Sequence, residues 1–86
     1  MRITGRTSRF AKSYRKLSPE NQALVAAALR RLEEDSTHPS LRTGKLEPKS
    51  RGVWYCRASR SLRILFTVDS AEVTLLNVGP HDIVDG

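Results

Sequence analysis

Arg57, Arg63 and His81 are the residues of this 86-residue chain whose chemistry suits a phosphodiester. A guanidinium holds phosphate bidentately and stays charged, so a pair of them can stabilise the extra charge of a pentacovalent phosphoryl transition state. An imidazole, with an unperturbed pKa of about 6.5, gives or takes a proton near neutrality. Cleavage of RNA without a metal needs a group to deprotonate the 2′-OH, a group to protonate the leaving 5′-oxygen, and positive charge between them. DNA has no 2′-OH, so the same groups would not cut it in this way. The only two histidines, His38 and His81, are far apart in sequence and acids are few, so the sequence suggests no metal site. No cofactor is expected either.

These side chains share a surface only if the strands that carry them pair in one register. Beyond the polar loop "STHPSLRTGKLEPKSRG", the hydrophobic period becomes two, and "VWYCRA", "LRILFTV" and "EVTLLNV" read as three strands of an antiparallel meander. Leu62, Ile64, Phe66 and Val68 mark the core side. Trp54, Cys56 and Ala58 can join them only if the first hairpin loop has an odd length, such as Ser59-Arg60-Ser61. An even loop would set Arg57 beside Leu62 and bury an unpaired guanidinium, at a cost of roughly several kcal/mol. The odd register predicts an opposite face with Tyr55, Arg57, Arg63 and Thr67, interleaved with Val53 and Leu65. Pairing across Ser70-Ala71 is expected to add Thr74, Leu76 and Val78 to that face, and His81 to fold back over it. No helix remains to cover this mixed surface, and such a surface marks a contact site.

The rest of the chain supplies the layer behind the sheet. "MRITG" reads as a short strand. Phe10, Tyr14 and Leu17 form one stripe of a short helix. Ser18 and Pro19 are a start signal for a second helix, with Val25, Ala28, Leu29 and Leu32 on one face. Helices followed by a run of strands predict an α+β fold: an N-terminal strand and a two-helix hairpin packed on one face of a small antiparallel sheet. Residues 1–86 are read as one domain, short enough to bury only about 60–65% of its unfolded surface.

Charge and composition narrow the partners. The net charge is +6, and the positive residues cluster in 1–16 and 42–63, which favours polyanions, nucleic acid first, and acidic proteins. Lys45, Lys49, Arg51 and Arg60 are the candidates to hold RNA backbone, and Tyr55 to stack on a base. His38, next to Pro39, reads as a loop residue. Cys56, the single cysteine, reads as a small core residue in a reducing compartment. No apolar leader segment is visible, and "ALVAAAL" is too short to span a bilayer, so a soluble, cytoplasmic protein with no membrane partner is expected.

A helix pair, then "HPSLRTGKL", "GVWYCRASRSLRILF" and "VTLLNVGPHD", in that order, resembles the RelE/ParE superfamily of toxins from bacterial toxin-antitoxin modules, over nearly the whole chain. The resemblance implies a metal-independent endonuclease that cuts mRNA in the ribosomal A site, beside 16S rRNA, and a cognate antitoxin protein as partner. It matches Arg63 to the strand arginine that such proteins place on the scissile phosphate, and Arg57, allowing one gap, to an assisting basic residue. His81 takes the position after "VG" that is arginine or histidine in active members, and Lys45 lies in the "KL" element. Many RelE-like sequences continue to a tyrosine, whereas "HDIVDG" holds none. Three readings follow: His81 carries the proton transfer, Tyr55 substitutes, or activity is weak or absent. The ParE branch poisons DNA gyrase and needs no nuclease residues, and "HD" endings also occur in inert toxin-like modules.

Overall fold

The three period-two segments form the centre of a five-stranded sheet. In the computed structural model, which describes residues 1–46, 52–80 and 82–85, the elements are β1 (Arg2–Arg6), α1 (Ser8–Arg15), α2 (Pro19–Glu34), β2 (Gly44–Lys45), β3 (Val53–Arg57), β4 (Leu62–Asp69), β5 (Glu72–Pro80) and α3 (Asp82–Asp85). A single 3₁₀ turn, Pro39–Leu41, precedes β2. The strand order is β1-β5-β4-β3-β2. Pairing is antiparallel from β2 to β5, and β1 joins the other edge in parallel with β5.

Local chemistry explains the helix boundaries. The Thr7 hydroxyl accepts from the Phe10 amide at 3.1 Å and donates to the Leu76 carbonyl at 2.7 Å, so one side chain caps α1 and ties it to β5. Ser18 caps α2 by accepting from the Asn21 amide, and Pro19 occupies the first turn, as the sequence predicts. Glu33 lies near the end of α2, where the helix dipole disfavours a carboxylate. Its Oε2 accepts from the Ile3 amide at 2.9 Å, so the charge satisfies an N–H of the edge strand β1.

The core lies between the helices and one face of the sheet. Phe10, Val25, Ala28 and Leu32 meet Cys56, Leu62, Ile64, Phe66, Val73, Leu75 and Val78, and all are buried. The odd register of the β3–β4 hairpin holds: Trp54 pairs with Phe66, Cys56 with Ile64 and Arg57 with Arg63. Burial pushes the Cys56 thiol up to about 12, so it stays neutral and packs as a small apolar group.

Three features depart from the sequence reading. The polar loop contains an edge strand, β2, of only two residues. A short helix, α3, follows β5 where no covering helix was expected. Val78 lies in the core opposite Ile64, because a bulge in the β4–β5 ladder skips Leu76 and reverses the alternation beyond it. The outer register positions of β5 are therefore Thr74, Asn77 and Gly79.

The tight β4–β5 turn has its own cost. Ser70 and Ala71 have φ of 52° and 65°, the pattern of a two-residue turn matched to strand twist, but neither is the glycine or asparagine that adopts it freely.

Candidate active site on the outer sheet face

The outer face is built in rows across the strands. One row is Arg57, Arg63 and Gly79; the next is Gly44, Tyr55, Leu65 and Asn77. Directly opposed like charges destabilise a sheet, yet Arg57 and Arg63 are register partners. Both are half-buried.

The hairpin tip compensates part of that repulsion. Arg57 Nε donates to the Ser59 carbonyl at 3.2 Å, and Arg63 Nη1 donates to the same oxygen at 3.0 Å. Arg63 Nη1 also lies 3.3 Å from the Arg60 carbonyl and 3.1 Å from that of Leu62. Among the described residues, every hydrogen-bond partner of the two guanidiniums is a backbone carbonyl. These contacts orient both groups; among the described residues, Arg57 Nη1 and Nη2 and Arg63 Nε and Nη2 have no hydrogen-bond partner. A pair of forks held in this way can bind a phosphate and stabilise charge that develops on it.

Glycines open the site on two sides. At Gly79, opposite Arg63, a Cβ would come within 3.1 Å of Ile83 Cγ2, so the missing side chain seats α3 next to the arginine row. At Gly44, a Cβ would lie 2.8 Å from Tyr55 Oη and 2.9 Å from Cζ, so the tyrosine ring lies across the edge strand. Tyr55 and Arg57 are two residues apart on β3 and face the same way, so the ring and the guanidinium pair share one sheet face. Gly44, Gly79 and Ile83 were not singled out in the sequence, and Ser59 was named there only as part of the hairpin loop.

The structure brings some predicted residues together and not others. Arg57, Arg63 and Tyr55 share the outer face. Arg60 is exposed at the hairpin tip and contributes its carbonyl to Arg63. Lys45 pairs with Trp54, and its ammonium sits 5.3 Å from the centre of the indole ring, a cation–π contact on the alternate register from Tyr55. Lys49, Arg51 and His81 lie outside the described residues. No helix among those described is long and apolar enough to cross a membrane.

No protein-family model and no curated protein matches the sequence. Solved structures do match the fold. The toxin YafQ from E. coli strain BL21(DE3) superposes with a TM-score of 0.78 at 10% identity, over 100% of both chains. A YoeB/ParE toxin from Agrobacterium tumefaciens gives 0.77 at 13% identity, covering 94% of this chain and 99% of that one. RelE in the archaeal RelE–RelB complex from Pyrococcus horikoshii gives 0.72 at 15% identity, covering 92% of each. Order of elements, sheet topology and these superpositions agree: the chain has the fold of the RelE-type toxins.

Proposed function

We propose that this protein is a toxin of the RelE/ParE superfamily, acting in the cytoplasm as a metal-independent, ribosome-dependent mRNA endonuclease that inhibits translation. The observation that carries the reading is the Arg57–Arg63 pair: a like-charge cross-strand pair on the outer face, with both guanidiniums bonded to one carbonyl. Sequences break a local rule of this kind mostly where function demands it. In this reading Arg63 and Arg57 hold the scissile phosphate, His81 moves the proton, and Tyr55 stacks on a base. Lys45, Lys49, Arg51 and Arg60 steer RNA backbone. The fold neighbours YoeB from Staphylococcus aureus and RelE from Pyrococcus horikoshii were solved in complex with YefM and RelB, which supports a cognate antitoxin partner here.

Primer extension on ribosome-bound mRNA tests the proposal. Expression without a partner should arrest growth and produce discrete cleavage ends, and Arg63→Ala with His81→Ala should remove both. Arrest that persists in the double variant removes the catalytic assignment. The same carbonyl contacts favour a second reading, a non-catalytic binder such as a ParE-like gyrase poison, in which the arginines brace the hairpin. Growth arrest with no mRNA ends, together with gyrase-dependent DNA breaks, would select it.

A further inference from the structure

The β3–β4 hairpin borders a second concavity, away from the outer face. An open groove of about 650 Å³ lies between the hairpin tip, α2 and the 3₁₀ turn, and Arg31, Arg42, Arg57 and Arg60 line it. No acidic residue among the described residues does so. Arg31 is held in place: its Nη1 donates to Ser40 Oγ at 3.0 Å, and that oxygen lies 2.9 Å from His38 Nδ1. Arg42 follows the 3₁₀ turn with φ of 45°. With Arg57 counted on the outer face, the three further arginines, Arg31, Arg42 and Arg60, with no carboxylate among the described lining residues, suit a polyanion.

The rest of the lining decides which polyanion. Leu24, Ala27, Ala28 and Arg31 follow the i, i+3, i+4, i+7 spacing of one α2 face, adjoining the stripe that packs in the core. Leu24 is 43% exposed, one of two large hydrophobic residues so exposed among those described. No aromatic residue among those described lines the groove. A single-stranded nucleic acid gains its base-level affinity by stacking on aromatic rings, and here none is offered. An acidic peptide with an apolar side chain uses both parts, arginines for its carboxylates and the Leu24–Ala28 surface for its anchor.

We infer that this groove docks an acidic, leucine-bearing segment of a protein partner. The inference takes from the preceding section only that such a partner exists, and cleavage plays no part in it. The probe is a fluorescent peptide with leucines at every third or fourth position and glutamates between them, titrated onto the full chain. Arg31→Gln with Arg42→Asn should weaken binding roughly tenfold or more. Asparagine suits the left-handed φ at position 42. Leu24→Ala should weaken binding a further few-fold. A uridine oligonucleotide should lose less than the peptide in each variant, and circular dichroism should show each variant folded. Amide shifts of the labelled protein should gather at Ala27, Ser40 and Ala58. Failure of the parent chain to bind the peptide, binding unchanged in the double variant, or shifts gathered at Leu65 and Thr67 would each overturn the inference. A larger loss for the oligonucleotide than for the peptide would assign the groove to nucleic acid. None of these readouts depends on growth arrest or mRNA ends, so this inference and the nuclease proposal can fail separately.

Discussion

Cys56 and Arg57 are neighbours in sequence and sit in opposite media. On the helix side of β3, Cys56 faces Ile64 with no solvent contact, and Trp54 faces Phe66. On the other side, Arg57 faces Arg63 and both find carbonyls of the hairpin tip. The first side gains stability by excluding water, and a cavity there has no remedy because interiors pack densely. The second keeps two cations together at some cost, which partial exposure to water and the carbonyls reduce. One ladder therefore carries two kinds of position, and they should respond to substitution in opposite ways.

The largest effect belongs to the dry side. Phe66→Ala should cost about 3–5 kcal/mol and reduce every activity together, as read by urea unfolding. Arg63→Ala should invert that pattern, with cleavage falling roughly 10²–10³-fold if the guanidinium stabilises transition-state charge, while the unfolding midpoint moves little. A midpoint drop as large as that of Phe66→Ala would make the arginine structural. Replacing Ser70-Ala71 by Asn-Gly should stabilise the fold by about 1–2 kcal/mol with no change in cleavage, since it relieves two left-handed residues remote from the arginine row. Gly44→Ala should be the subtlest, costing less than about 1 kcal/mol, because only the far end of Tyr55 must swing away. If Tyr55 stacks on a base, cleavage should fall in that variant although stability barely moves.

The same contrast explains what the sequence showed. Leu62, Ile64, Phe66 and Val68 marked one side of β4 despite Leu65, and the penalty for burying a guanidinium fixed the parity of the hairpin, so the Arg57–Arg63 pairing was legible in the sequence. Helix starts at Ser18 and the stripe from Val25 to Leu32 were legible for similar reasons: caps and periodicity are local. The bulge at Leu76 was not, because "EVTLLNV" is apolar on both sides of the slip and no glycine or proline marks it. β2 has two residues and α3 has four, too few for any period. The arginine groove was hidden for another reason. Arg31, Arg42 and Arg60 come from three separate segments, and only tertiary packing makes them neighbours.

The parallel edge sets an order on synthesis. β1 pairs with residues 72–75 of β5, and the Thr7 hydroxyl bonds to the Leu76 carbonyl, so β1 finds its sheet partner only after those later residues have been made. The β3–β4 hairpin can close while the chain is growing, but α1 has no strand to lie against until β5 emerges. Such distant pairing makes folding slow relative to local hairpin closure. The segment from β1 through α1 therefore docks last, although it precedes every strand that it rests on.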